Sequence, residues 1–238
     1  MDRVIYIFWT GTNRMSKNRA TCMDSIYQNA GVDVELVTPE NLDEFIVSGF
    51  PLHPAYDFLS LTHKADYLRC YFMHHHGGGY TDIKMTEFDW NRYFDSMSSG
   101  CWAIGYQEIG SSGVAARHSE LYEEMSQNFR LLIGNCAYIF RDGTPLTQEW
   151  YDRVHVKLDE KLPALKEHPG RHPRDFNGKL PDDNKVIRKL GVLLPRFLRS
   201  EYPLGWSEIL GDIFHPLVYK YTDQIIKIMP WINTKNYL

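Results

Sequence analysis

The stretch from His74 to Met85 holds three kinds of residue that could do chemistry, and it reads HHHGGGYTDIKM. Three histidines suggest a metal site, but consecutive helical residues point about 100° apart and cannot all face one ion. A zinc-binding helix places its histidines four residues apart instead. The histidines therefore fit the C-terminal end of a helix, where the helix dipole favours positive charge.

The glycines Gly77–Gly79 suggest a phosphate-binding loop, but they lack the GxGxxG and GxxxxGK[ST] spacings of nucleotide loops. They also precede a predicted strand rather than opening a helix. A helix end followed by a tight turn accounts for them without any ligand.

An acid and a base stand one helical turn apart just upstream, in the segment THKADYLRC. Asp66 and Arg69 are i, i+3 neighbours on the predicted helix, and Arg69 flanks its apolar face. Spacing alone favours a surface ion pair, which contributes little to stability. The alternative is a binding site, because a carboxylate can accept two hydroxyl hydrogen bonds at once, as a sugar offers.

Together these residues form a string that resembles the (S/A)DxLR…GGxYxDxD core of sugar transferases with nucleotide-sugar donors. The matching positions are Ala65 to Arg69, Gly78 to Tyr80, and Asp82. The likeness is greatest to the capsular-polysaccharide-synthesis and mannosyltransferase-like (glycosyltransferase family 32-type) groups, which have a GT-A fold. The opening VIYIFWTG, the segment IGNCAYIFR and the late WSEILGDIFHP are similar to those groups as well. The clear match covers about residues 3 to 141, and the C-terminal third matches more loosely.

The resemblance implies a role for each matched position. Trp9 would stack on the nucleotide base, with the next two residues near the ribose, although a core position is equally open for this tryptophan. Asp66 and Arg69 would hold hydroxyls of the donor sugar, and Asp82 would be the first acid of the DxD motif, near the ribose and the diphosphate. The residues expected to bind the donor are Trp9, Thr10, Gly11, Asp66, Arg69, Tyr80, Asp82, Lys84, Asn135 and Trp206.

The chain departs from the family at Lys84, where the pattern has its second aspartate, a direct ligand of Mg²⁺ or Mn²⁺. Such ions prefer oxygen ligands, whereas a lysine ammonium only donates hydrogen bonds. On a strand, Asp82 and Lys84 would point to the same side. We therefore expect Lys84 to supply charge to the departing diphosphate, with weak or absent dependence on Mn²⁺ or Mg²⁺. The alternatives are a metal ion held by Asp82 with His215 or Asp212, and a solvent-facing lysine without a role.

The C-terminal third supplies candidates for the remaining roles. His215 could reach the metal or the diphosphate, or it could simply end a helix. A base that takes the acceptor's proton must be a carboxylate or a histidine near the acceptor hydroxyl. The candidates for that base are Asp212, Glu208 and Asp183. Three residues could contact donor or acceptor: Trp206, Ser207 and Glu208.

Hydrophobic periodicity predicts the elements that must position these residues. Strands are predicted at Val4 to Trp9, Val32 to Thr38, Tyr80 to Met85, Cys101 to Gln107 and Asn135 to Phe140. Helices are predicted at Ala20 to Ala30, Pro39 to Val47, Thr62 to His76 and Pro145 toward Leu162, with a loop or flap over residues 163 to 185. Strands that alternate with helices predict an α/β fold with a Rossmann-like, mostly parallel sheet flanked by helices, which binds ligands beyond the carboxyl ends of its strands.

Length and composition fit one domain over residues 1–238, with a nucleotide-sugar core at 1–141 and acceptor-side helices, flap and C-terminal segment at 142–238. The net charge of −4 argues against a nucleic-acid partner. No apolar run reaches the roughly 20 residues of a bilayer span, and four scattered cysteines indicate reduced thiols. We expect a cytoplasmic protein, with peripheral membrane association left open.

The favoured function is a hexosyl- or deoxyhexosyltransferase that moves a sugar from a nucleoside-diphosphate-sugar donor to a saccharide or glycan acceptor, in surface polysaccharide or glycan synthesis. Two alternatives share the same fold. One is a nucleotide-sugar hydrolase or phosphotransferase, and the other is a degenerate, non-catalytic nucleotide-sugar binding protein that lost its metal with the second aspartate.

Overall fold

The centre of the fold is a mixed β-sheet, seen in a computed structural model that describes residues 1–179 and 199–233. Its strands are β1 (Val4–Phe8), β2 (Asp33–Val37), β3 (Gly78–Thr81), β4 (Ala103–Gln107), β5 (Ile133–Phe140) and β6 (Ile225–Met229). They are arranged in the order β2-β1-β3-β5-β4-β6. Strand β5 runs antiparallel to both of its neighbours, and the other pairings are parallel. The predicted mostly parallel sheet of an α/β fold is confirmed.

The helices start where the sequence offers a cap. They are α1 (Lys17–Asn29), α2 (Leu61–His75), α3 (Asn91–Asp95), α4 (Tyr122–Gln127), α5 (Pro145–Glu167) and α6 (Gly211–Lys220). The side chains of Ser16, Ser60 and Thr144 each accept a hydrogen bond from the backbone N–H three residues on, at the starts of α1, α2 and α5. These bonds satisfy amide groups that have no partner inside the helix.

Both faces of the sheet carry a hydrophobic core. Along β1, Tyr6 and Phe8 face one core, which includes residues of α2, α5 and α6, while Ile5 and Ile7 face the other, which includes residues of α1 and α3. Alternate side chains of a strand point to opposite faces, so the continuous apolar run of β1 serves both layers. Helices therefore cover both faces of the sheet.

Several predicted elements differ from the structure. Only a short 3₁₀ turn, Leu42–Phe45, forms within the predicted helix from Pro39 to Val47. Helix α5 continues through Pro163 to Glu167, because Leu165 is fully buried in the core and holds the last turn in place. Residues 163 to 167 are thus helical rather than loop. Residues 168 to 179 form an irregular loop with short turns, as predicted, and 180 to 185 lie outside the described residues.

Two further corrections concern the candidate site. The strand predicted at Tyr80 to Met85 ends at Thr81, where a turn begins. Residues His215 and Pro216 lie inside α6 rather than at its end. Strand β6 and helices α3 and α4 were not predicted; the two helices are short and carry little periodic signal.

The cysteines are all free thiols, and Cys136 is the one that is only partly buried. Across residues 1–179 and 199–233, no helix has both the length and the apolar character that a membrane crossing requires.

Candidate active site

One cleft of about 880 Å³ gathers all ten residues predicted to bind the donor. Three parts of the sheet meet at its floor: the segment after β1, the segment after β3 and the first half of β5. The start of β5 reaches this edge because the strand is antiparallel to β3, so its N-terminal end lies beside the C-terminal ends of its neighbours. The cleft lies where β2 and β3 flank β1 on opposite sides, which is where open α/β sheets bind ligands.

Arg69 lies between two carboxylates at the floor of this cleft. Its Nη2 is 3.0 Å from Asp82 Oδ1 and 3.7 Å from Asp66 Oδ1, and its Nη1 donates to the Asn135 carbonyl at 3.2 Å. The guanidinium also lies over the Tyr80 ring, with 4.5 Å between its Cζ and the ring centroid. Only 11% of the arginine side chain and 5% of the Asp66 side chain are exposed. The spacing-based prediction of a surface ion pair is therefore wrong.

Asp82 is the most heavily engaged acid of the site. Its Oδ1 accepts hydrogen bonds from Arg69 and from the Tyr80 hydroxyl at 2.6 Å, and its Oδ2 lies 3.1 Å from Lys84 Nζ. Burial alone would raise the pKa of Asp82, but the two cations and the hydroxyl outweigh burial and hold that pKa below its usual value. The carboxylate is therefore ionised at neutral pH.

Asp66 is buried and lines the cleft, and its carboxylate makes few contacts with polar groups of the protein. Within the described part of the chain, Arg69 at 3.7 Å is its one ion-pair partner, and no side-chain hydrogen bond to this carboxylate is present. Burial raises the pKa of Asp66, and Arg69 opposes that effect only in part. A buried acceptor of this kind favours a hydroxyl-bearing ligand that supplies the hydrogen bonds the protein does not.

The Lys84 side chain reaches Asp82 through a turn, whereas the sequence predicts a strand. The backbone N–H of Lys84 donates to the Asp82 carbonyl at 2.7 Å, so a tight three-residue turn replaces the predicted strand. The Lys84 ammonium lies 2.8 Å from Cys136 Sγ as well as 3.1 Å from Asp82, and only 8% of its side chain is exposed. The alternative of a solvent-facing lysine is therefore wrong.

The segment after β1 forms one wall of the cleft. The partly buried Trp9 donates from its indole Nε1 to the Asn13 carbonyl at 2.8 Å. Thr10 donates to the Leu61 carbonyl at 2.7 Å, which ties the wall to the start of α2. A Cβ on Gly11 would lie 2.8 Å from Leu61 Cδ1, so glycine permits this close approach. Trp9 packs against the core and lines the cleft at once.

The C-terminal candidates divide into those inside and those outside the cleft. Trp206 lines it and is about half exposed. Glu208 does not line it, because its carboxylate accepts the Gly205 N–H at 2.8 Å and pairs with Lys161 at 2.9 Å. Asp183 lies outside the described residues.

Asp212 reaches the cleft through another residue. Its Oδ2 lies 3.1 Å from His118 Nδ1 and accepts from the Ser207 hydroxyl at 3.0 Å, and its Oδ1 accepts the His118 N–H. The Asp212 side chain is 12% exposed, whereas the His118 side chain is 78% exposed and lines the cleft. The acid therefore holds the imidazole by its Nδ1, and within residues 1–179 and 199–233 its other nitrogen has no hydrogen-bond partner that would block a ligand.

His215 does not join Asp82. It is fully buried outside the cleft lining, and its Nδ1 accepts the Ala115 N–H at 2.9 Å. Burial lowers the pKa of His215 to about 4, so the imidazole is neutral. Its contact supports the 112–118 wall of the cleft instead.

Sequence reasoning missed the basic residues of the walls and the histidine among them. These cleft residues are Arg19, Arg117, His118 and Arg174. They come from α1 and from two loops, and no motif marks them. Arg19 Nη1 donates to the Ile83 carbonyl at 2.8 Å, which brings a third cation to the turn that holds Asp82 and Lys84.

The donor set around Asp82 does not fit a divalent ion. Among residues 1–179 and 199–233, no three side chains of His, Cys, Asp or Glu come together as ligands. The two cleft carboxylates, Asp66 and Asp82, have Arg69 between them. Mg²⁺ and Mn²⁺ take oxygen ligands, and here cations and a hydroxyl already engage both oxygens of Asp82.

Comparison with known proteins gives no family. No family model matches the sequence, and no curated protein matches it either. Two solved structures are similar in chain trace. One, "PaToxG Glycosyltransferase", is 13% identical with a TM-score of 0.45 over 71% of this chain and 65% of that chain, so less than two thirds of it is spanned. The other, the apo crystal structure of mouse xyloside xylosyltransferase 1, is 9% identical with a TM-score of 0.42 over 94% of this chain and 84% of that one.

Proposed function

We propose that this protein is a GT-A-type glycosyltransferase that moves a sugar from a nucleoside-diphosphate-sugar to a saccharide acceptor. The observation that carries the proposal is the convergence of all ten predicted donor-binding residues on one cleft at the ligand-binding edge of the sheet. These residues come from separate segments of the chain, and a shared role in binding a ligand explains why the fold brings them together.

The donor would bind along the floor of the cleft. The face of Trp9 offers a stacking surface for the base, with Thr10 and Gly11 beside the ribose. Asp66 would accept two hydroxyl hydrogen bonds from the donor sugar, because its carboxylate has little other use. Arg69 would hold Asp66 and Asp82 in place, since it contacts both.

Catalysis would come from positioning and from charge. The bond between the sugar carbon and the diphosphate oxygen breaks, its electron pair stays on the diphosphate, and the acceptor oxygen forms the new glycosidic bond. Preorganised positive charge stabilises the departing diphosphate. The acceptor's proton would go to His118, the imidazole that Asp212 orients at 3.1 Å. Asp212 is thus proposed as a positioning residue rather than as the base.

The proposed setting follows the resemblance in sequence: cytoplasmic synthesis of a surface polysaccharide or another glycan, with a hexose or deoxyhexose transferred.

The test is a panel of UDP-, GDP-, ADP- and dTDP-sugars, assayed for binding by thermal shift and for nucleotide release with and without mono- and oligosaccharide acceptors. We expect release that depends on an acceptor and a new glycoside detected by mass spectrometry. Binding without release would identify a nucleotide-sugar binding protein, and release that is equally fast without acceptor would identify a hydrolase. The variant Asp57→Ala, which removes an exposed acid outside the cleft, is the control.

A further inference from the structure

Donors of the protein take three of the roughly four acceptor positions of the Asp82 carboxylate. Oδ1 accepts from Arg69 and Tyr80, at 3.0 Å and 2.6 Å. Oδ2 faces the Lys84 ammonium at 3.1 Å. An ion bound to Oδ2 would sit about 2.0–2.4 Å from that oxygen, so it would meet the positive charge of the lysine.

Contacts with the protein hold the Lys84 ammonium at this position. Its ammonium is also 2.8 Å from Cys136 Sγ, and its side chain is almost fully buried. The tight turn between Asp82 and Lys84 fixes the backbone that carries both. Because two contacts and the turn hold the ammonium, it is a built feature of the cleft and not a surface lysine.

The cleft already holds the positive charge that a diphosphate needs. Its described lining includes five cationic side chains: Arg19, Arg69, Lys84, Arg117 and Arg174. Two carboxylates face them, Asp66 and Asp82. The excess of three positive charges is close to the negative charge of a nucleoside diphosphate, and charged groups are strong ligands for phosphate.

We propose that Lys84 takes the place of the divalent cation, so that the cleft binds and stabilises a nucleoside diphosphate through its own side chains. This inference rests on the proposed function, because it assumes that a diphosphate enters the cleft. The Asp82 carboxylate then holds the ammonium of Lys84, and the four arginines that line the cleft supply the remaining positive charge.

The experiment measures the affinity of the parent protein for UDP and for GDP by isothermal titration, once in excess EDTA and once with Mn²⁺. We expect the same affinity in both buffers. Lys84→Ala should weaken the binding of the diphosphate by about 10- to 100-fold in EDTA, as expected for the loss of a charged hydrogen-bonding partner, and should leave the affinity for the bare nucleoside unchanged. Lys157→Ala removes an α5 lysine outside the cleft and serves as the matched control.

The variant Lys84→Asp restores the Asp-x-Asp pattern and tests the inference from the opposite side. We expect it to bind Mn²⁺ by electron paramagnetic resonance, and to bind the diphosphate only when Mn²⁺ is present. Diphosphate binding by the parent only with Mn²⁺ would overturn the inference but leave the proposed function standing. No nucleoside diphosphate bound in either buffer would overturn both. The two-buffer comparison on the parent needs no variant, so it decides the question even if Lys84→Ala unfolds.

Discussion

At the scale of single residues, the burial and the neighbours of a charged side chain determine its role, and its spacing in the sequence does not reveal them. Asp66 and Arg69 have the spacing of an ordinary surface pair, yet both are buried at the floor of the cleft.

Asp66→Ala should lower kcat/KM for the sugar donor by about 10- to 100-fold, because charged hydrogen bonds to the donor are lost. Affinity for the nucleoside diphosphate without the sugar should change little, since Arg69 keeps Asp82. Near-normal turnover with a normal melting curve would remove Asp66 from the donor site.

The pairing of His118 with Asp212 gives a second prediction at this scale. His118→Ala should lower kcat by about 10²- to 10⁴-fold, the usual contribution of a general base, with a smaller change in KM for the donor.

The matching variants separate positioning from catalysis. Asp212→Asn should give a smaller loss than His118→Ala, and the double variant should lose no more than His118→Ala, because the two residues act as a unit. Glu208→Gln is the control, because that acid pairs with Lys161 outside the cleft. If Glu208→Gln is inactive while His118→Ala is active, the assignment is wrong.

At the scale of elements, the structure gives a packing role to three histidines outside the cleft, His74, His75 and His155. His74 and His75, on the last turn of α2, pack with His155 on α5 around the ring of Tyr151, with centroid distances of 4.0 to 5.0 Å to that ring. Burial, together with the neighbouring histidines, lowers the pKa of His75 and of His155 to about 4, despite Asp152 and Asp159 near His155. Burial lowers the pKa of His74 as well.

This histidine cluster predicts acid sensitivity at the contact between α2 and α5. The unfolded chain binds the protons of His75 and His155 near pH 6.5, and the folded chain binds them only near pH 4, so the unfolded state holds more protons in between. Stability is therefore full above about pH 6.5 and falls as the pH drops toward 4. His75→Leu should reduce the loss of Tm over that range in thermal melts, whereas His168→Leu, after the end of α5, should not. An equal loss in parent and His75→Leu would exclude the cluster as a source, leaving other groups such as His215.

At the scale of the whole molecule, the sequence predicts the part of the site that local patterns encode. The apolar run of β1, the helical pattern of α2 and the glycines after it are local signals, and the structure brings Trp9, Asp66 and Asp82, which lie on or beside these elements, to one cleft. Arg117 and Arg174 come from loops whose positions depend on tertiary contacts, so no local pattern marks them. The turn at Lys84 is an intermediate case. Its residue types are typical of a strand, but its backbone forms a turn, and the lysine side chain contacts Cys136.

The cleft joins distant parts of the chain, so a bound donor should stabilise the whole fold. Its floor comes from the segments after β1 and β3, and its walls include residues 112–118, 173–174 and 206–211. A ligand that binds only the folded state at about 100 times its Kd adds about 2.7 kcal/mol, and for a chain of this size that corresponds to a rise in Tm of about 5–10 °C. We expect one nucleotide sugar of the panel to produce this shift and the matching nucleoside diphosphate to produce a smaller one. In Asp66→Ala the two shifts should become equal, because the sugar then has no carboxylate to hold its hydroxyls. A sugar increment that survives in Asp66→Ala would place the sugar elsewhere in the cleft.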